Sequence, residues 1–181
     1  MTSDKQAALN AELSSGDRER TEAALAALED ILRAREADSS SLRPLTGLLD
    51  HQEPGVRRAA SWSIGKLAQN KALDDAPIDR MVALLADPDE EVRENAAWTL
   101  GELAGSKVGT KEAVGPLERL LADPNAQVRG MATWALGRLA EKMRIADTSS
   151  ISLLETLLQD KSLFVRKGAE WTLEQLSEAL R

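Results

Sequence analysis

Val92-Arg93-Glu94-Asn95-Ala96-Ala97-Trp98-Thr99-Leu100-Gly101-Glu102-Leu103-Ala104 decides the fold, because variants of this stretch occur at four places in the chain. The same pattern stands at Val56 to Ala68 (VRRAASWSIGKLA), Val128 to Ala140 (VRGMATWALGRLA) and Val165 to Ser177 (VRKGAEWTLEQLS). Trp62, Trp98, Trp134 and Trp171 are therefore 36, 36 and 37 residues apart. A fixed period of this length marks a stacked array, in which each unit buries its apolar face only against its neighbours.

Ahead of each copy lies a shorter helical pattern: Leu42, Leu45, Leu48, Leu49; Ile78, Met81, Leu84, Leu85; Val114, Leu117, Leu120, Leu121; and Ile151, Leu154, Leu157, Leu158. Spacings of three and four put each set on one helical face. Two helices per period predict an all-α, right-handed α-solenoid of about five helical hairpins, repeating every 36–37 residues. The chain reads as a single domain over 1–181, with repeats at 38–73, 74–109, 110–146 and 147–181. Residues 1–37 read as a worn first repeat. Ala24, Leu28 and Ile31 fall under Ala60, Ile64 and Leu67, but the Val-Arg pair is missing and Ala26 replaces the tryptophan. A terminal repeat has one face in solvent, so a degraded version is expected there.

Punctuation agrees with this division. Ser39-Ser40-Ser41 suits a helix cap, and Pro44 and Pro116 fall in first turns, where a missing N–H costs little. Asp87-Pro88 and Asp123-Pro124 predict inner-helix starts with Asp as N-cap and Pro in the first helical position.

Composition excludes several chemistries. The net charge is −7, from 23 basic and 30 acidic side chains, which argues against nucleic acid as a partner. With no cysteine and one histidine, no metal site, cofactor or disulfide is expected. The N-terminal MTSDKQAALN lacks the apolar core of a secretory leader, and no stretch is apolar enough to span a membrane. The expectation is a soluble, cytoplasmic protein that does not use membrane.

The Asp, Val-Arg, Ala-Ala and Leu-Gly succession resembles HEAT-like repeats of the phycobilisome-lyase type, clearly over residues 40–181 and weakly over 1–38. The resemblance implies a ladder of hydrogen bonds along the array, between Asp87, Asp123 and Asp160 and Arg93, Arg129 and Arg166. Arg57 has His51 at the ladder position, so that rung is expected to be broken or taken by Asp50. The tryptophans also resemble those of armadillo repeats, where an Asn four residues later clamps an extended peptide. The matching positions here are Lys66, Glu102, Arg138 and Gln175.

At about 100° per residue, Trp62 lies about 155° around its helix from the buried stripe. The indoles are thus expected on the concave, inner-helix side, with Arg58, Gly65 and Gln69. Two uses are open to them. One is packing over Gly65, Gly101 and Gly137, which cost about 1 kcal/mol each in a helix interior unless something covers them. The direction expected is towards the preceding repeat: Trp98 near Gly65, Trp134 near Gly101 and Trp171 near Gly137, with Trp62 facing Glu29. The other use is a ladder for a ligand, since Trp joins a large apolar body to a polar N–H.

The binding candidates are therefore Trp62, Trp98, Trp134 and Trp171, with Arg58, Lys66, Glu94, Glu102, Arg138 and Lys167 setting the charge preference. His51 beside Asp50 and Glu53 reads as helix-boundary hydrogen bonding, because no placed nucleophile accompanies it. Asp89, Glu90, Glu91 and Glu94 read as a solvated helix N-terminus. Leu163-Phe164 stands where earlier repeats have small or polar pairs, and reads as a seal on the C-terminal core or an exposed docking spot. The functional expectation is a non-enzymatic scaffold for another protein or an extended peptide, of open oligomeric state. The alternatives are a phycobilin lyase or tetrapyrrole-handling protein, implied by the resemblance alone, and a self-associating structural protein.

Overall fold

The computed structural model describes residues 2–181, with side chains from Asp4 onward; Met1, where the expected first repeat begins, lies outside the described residues. The described residues form α-helices, two short 3-10 turns and no strand. The helices follow one another in pairs. The first pair is α1 (Thr2–Leu13) and α2 (Arg18–Arg33); the second is α3 (Leu42–Leu48) and α4 (Pro54–Gln69). Then come α5 (Ile78–Leu84) with α6 (Glu90–Gly105), α7 (Val114–Leu120) with α8 (Ala126–Met143), and α9 (Ser149–Leu157) with α10 (Leu163–Ala179). The inner helices α4, α6, α8 and α10 pack on one another along the array, whereas each outer helix packs chiefly on its own partner. The array is therefore close-packed on its inner side and fans apart on its outer side.

The core follows the leucine pattern. Leu45, Leu49, Met81, Leu117 and Leu154 from the outer helices are fully buried against Ile64, Leu67, Leu100, Leu103 and Leu139 from the inner ones. In the first pair Ala24, Leu28 and Ile31 are buried as the alignment requires, and Ala26 is exposed.

The inner helices start later than the sequence suggests. Asp89, not Asp87, caps α6 by accepting from the Val92 N–H at 3.0 Å, and Asn125, not Asp123, caps α8 by accepting from Gln127 at 2.8 Å. Pro88 and Pro124 thus precede the caps. The aspartates before them hold the loop instead: Asp87 accepts the Asp89 N–H and Asp123 the Asn125 N–H, both at 2.9 Å. The equivalent positions do the same work with other chemistry. Ser15 Oγ accepts from Asp17 N–H at 3.2 Å, His51 Nδ1 from Glu53 at 3.1 Å, and Asp160 from Ser162 at 2.8 Å. His51 is therefore a loop acceptor, as its helix-boundary position suggests.

The Arg–Asp ladder exists, but each rung spans two repeats. Arg57 meets Asp87, Arg93 meets Asp123 and Arg129 meets Asp160, at 2.7, 2.8 and 2.8 Å. Each guanidinium uses Nε and Nη2 on the next repeat's carboxylate and Nη1 on two carbonyls of its own loop, such as Asp87 and Pro88 for Arg93. Arg57 therefore needs no aspartate in its own repeat. Asp50 does not substitute there; it pairs with Arg80 on the surface. Arg166, expected to pair with the Asp160 carboxylate, instead donates to the Asp160 and Lys161 carbonyls.

The ends of α2, α4, α6 and α8 share a feature with no obvious sequence mark. Arg35, Lys71, Lys107 and Arg144 adopt left-handed backbone, with φ between 57° and 61°. The residue after each of the first three donates back across the helix end, as Val108 does to the Leu103 carbonyl at 2.9 Å. This is the closure that glycine ordinarily makes; here basic residues occupy it, where the helix dipole favours positive charge.

Candidate functional site

The tryptophans stand at the joints between inner helices. A Cβ built on Gly65 would lie inside 3.0 Å of the Trp98 benzo edge; Gly101 meets Trp134 and Gly137 meets Trp171 in the same way. The indoles thus pack towards the preceding repeat, as expected. The surface assigned to Gly65 and Gln69 is consequently a joint: Gly65 is buried, and Gln69 donates to Glu102 at 3.4 Å. Trp98, Trp134 and Trp171 are each half-buried, with the benzo edge seated on the preceding repeat's glycine. Hydroxyls reinforce the seat, since Thr99 donates to the Ser61 carbonyl and Thr172 to the Thr133 carbonyl, both at 2.8 Å.

A second contact runs beside it at two joints, where the residue two after one Val meets the residue before the next: Arg58 pairs with Glu91, and Gly130 lies under the Phe164 ring. Phe164 therefore seals the α8–α10 joint with one face while 42% exposed; Leu163, at 61%, remains open.

Trp62 breaks the rule. Its seat position is Glu29, a side chain that cannot lie under a ring. The indole is instead flanked by cations: Arg33 of α2 lies 5.2 Å from the ring centroid and Lys66 of α4 lies 5.9 Å from it. Arg33 is steered by Glu29, which accepts from its Nε at 2.8 Å. With the exposed Ala26 where another indole would stand, a cleft of about 500 Å³ opens between α2 and α4. Leu25, Val56, Ala59 and Trp62 give it apolar walls; Glu22, Glu29, Arg58 and Asn95 are its polar rim. Asn95 has no hydrogen-bond partner among the described residues, although its amide borders the cleft. Asn95, Arg33 and Glu29 were not among the sequence-derived candidates.

The remaining candidates are distributed along the joints. Lys66 contacts Gln69. Arg138 stacks over Trp134 at 5.6 Å, lies across Gly105 and pairs with Glu141. Lys167 pairs with Glu170 on the surface. Of the acidic group, Asp89 is a cap and Glu91 an ion-pair partner, but Glu94 is half-buried. Burial, with nearby Glu90 adding to it, holds the Glu94 carboxyl above the usual carboxylate range. The structure therefore brings Trp62 and Arg58 together in one cleft, with Lys66 beside the Trp62 ring but not in the lining, and leaves Trp98, Trp134 and Trp171 with their neighbours at successive joints.

Paired helices stacked inner on inner define an α-solenoid. The sequence model of HEAT repeats matches residues 78–174, more than half of the chain, and the protein belongs to that family. A model described as non-SMC mitotic condensation complex subunit 1 matches residues 23–111. No curated protein matches the chain. Among solved structures, an engineered protein is similar with a TM-score of 0.75 at 24% identity, covering 94% of this chain and 78% of that one. A designed armadillo repeat protein in complex with the peptide (KR)4 is similar at 0.68 and 24%, covering 94% and 86%. The complex of CpcE and CpcF of phycocyanin lyase from Nostoc sp. PCC7120 is similar at 0.72 and 24%, covering 94% and 64%. At these identities the likeness is one of fold.

Proposed function

We propose that the protein is a non-enzymatic scaffold that holds another protein, through an extended segment, along its inner-helix face. The observation that carries this reading is the Trp62 cleft. It is the place where the packing rule fails, and it combines an aromatic wall, an apolar floor and an unpartnered amide. Concave apolar surface with a few convergent polar groups is the usual form of a recognition pocket. A side chain of the ligand would enter beside Trp62, and Asn95 would bond its main chain. From there the segment would pass the half-buried rings of Trp98, Trp134 and Trp171, between the charges of Glu94, Glu102, Arg138 and Lys167. Inner helices about 8–10 Å apart would offer one indole for about every third residue of an extended ligand. The peptide complex of the designed armadillo protein supports the mode without specifying the ligand.

The test is titration of the full chain with extended-peptide pools, read by tryptophan emission. Trp62→Ala is expected to weaken a binding pool at least about tenfold, the cost of truncating an aromatic anchor. Failure of every pool to bind, or full binding by the Trp62→Ala protein, would overturn the reading. A second reading, a tetrapyrrole-handling protein, draws support from the likeness to CpcE and CpcF and from Arg33 and Arg58 at the cleft, where they would meet propionates. Visible absorbance appearing on addition of a bilin would favour it over the first.

A further inference from the structure

The joint between α2 and α4 leaves unspent a hydroxyl that later joints use. Thr99 and Thr172 each donate to a carbonyl of the preceding inner helix. Ser63 holds the same position in α4, and the matching carbonyl is that of Leu25 on α2. Here Glu29 fills the seat that glycine leaves open elsewhere, and α2 packs less closely on α4 than the later inner helices pack on one another. Ser63 makes no such bond. It is 2% exposed, lines the cleft and has no side-chain hydrogen-bond partner among the described residues. A buried hydroxyl without a partner is costly, and a ligand group that reaches it recovers that cost.

The charges around the cleft decide what that group is. Arg33 binds Glu29 and Arg58 meets Glu91, but a guanidinium carries five N–H donors and one carboxylate leaves several of them free. Lys66, beside the Trp62 ring, contacts the neutral Gln69 and no carboxylate among the described residues. The two carboxylates of the lining, Glu22 and Glu29, are each taken by an arginine one turn away on α2. A cation entering the cleft would lie against Arg33, Arg58 and Lys66, and the ring that would attract it already has two of these over it. We infer that the cleft receives a glutamate of the partner segment, its methylenes against Leu25, Ala59 and Trp62 and its carboxylate on the Ser63 hydroxyl and the free N–H groups of Arg33 and Arg58. This rests on the proposed reading of the cleft as the anchor of an extended segment, and it leaves Asn95 to that segment's main chain. A carboxylate has acceptor sites for all three donors, whereas an apolar side chain leaves each of them unmet.

The test titrates the full chain with end-capped extended-peptide pools in which one position is fixed as Glu, Gln, Lys or Leu, read by tryptophan emission. The Glu pools are expected to bind at least about tenfold more tightly than the Gln pools, and to lose that margin as salt is raised. Arg33→Gln and Arg58→Gln should each narrow the margin by weakening the Glu pools alone. Ser63→Ala places there the residue that the fourth repeat already carries as Ala135. It should weaken the Glu pools several-fold with helical ellipticity unchanged. Equal binding of Glu and Gln pools, a preference for Lys or Leu, or indifference of the Glu pools to all three substitutions overturns the inference. If Trp62→Ala still removes binding in those cases, the cleft stands as the anchor and only its ligand class is wrong. If no pool binds, or Trp62→Ala leaves binding intact, the anchor falls and the inference with it.

Discussion

A glycine in mid-helix carries a conformational cost of about 1 kcal/mol relative to alanine. At Gly65, Gly101 and Gly137 an indole edge in contact with bare backbone offsets it. The substitution that helix propensity recommends is therefore the wrong one here. Gly101→Ala should destabilise the protein by about 1–3 kcal/mol through overpacking against Trp134, measured by urea unfolding. A neutral or stabilising result would show that the ring moves aside freely. This pairing was legible from the sequence, because Glu174 replaces the glycine in the one repeat that no further tryptophan follows. The consequence at Trp62 was not. Ala26 and Glu29 were visible as departures from the pattern, but a helical wheel gives angle around one helix and nothing about the lateral neighbour. The cleft, with Arg33 and Asn95 in it, comes from that lateral neighbour.

Among elements, the rungs tie each inner helix to the loop of the next repeat. The sequence supplied the residues and the wrong partner, because Arg93 and Arg129 each lie six residues after one aspartate and about a repeat before another. Both are reachable: Nη1 takes carbonyls of the near loop, and Nε and Nη2 take the far carboxylate. Asp123→Ala should cost about 2–3 kcal/mol, since it strips a buried charge-assisted bond and a loop acceptor together. A double-mutant cycle should find its coupling with Arg93, not with Arg129; the reverse would restore the within-repeat pairing. The last rung adds a pH dependence. Hydrogen bonding from Arg129 holds the Asp160 carboxyl below its ordinary value, against the opposing effect of burial. A depressed folded pKa means stability that is present above the unfolded value and lost as pH falls through the folded one. The deficit of Asp160→Asn in thermal unfolding should therefore be full near neutrality and close as the solution is taken below the carboxylate range. A deficit unchanged in acid would assign the effect to geometry instead of charge.

For the whole molecule, the solenoid, its pairing and most of its core were readable from period and spacing, since each repeat restates the same rule and errors in one are corrected by the others. What the repetition could not reveal is where the rule is suspended, and the candidate cleft is such a place. The seating of the indoles also gives the array a grain, like overlapping roof tiles. Each tile rests on the one before it and shelters nothing after it. Damage from the two directions is therefore unequal. Stripping the last pair uncovers the backbone ledges at Gly130 and Gly137 and parts Arg129 from Asp160, but bares no indole, whereas stripping the first two pairs leaves the Trp98 ring hanging over water. Residues 1–146 should remain helical and clear in solution, while residues 74–181 should scatter light on warming. Circular dichroism and static scattering on the two fragments would decide it, and the opposite ranking would mean the tiles do not bear on one another. On this view a protease or a stalled synthesis that removes the far end leaves a shorter roof, and one that removes the near end leaves an exposed aromatic eave.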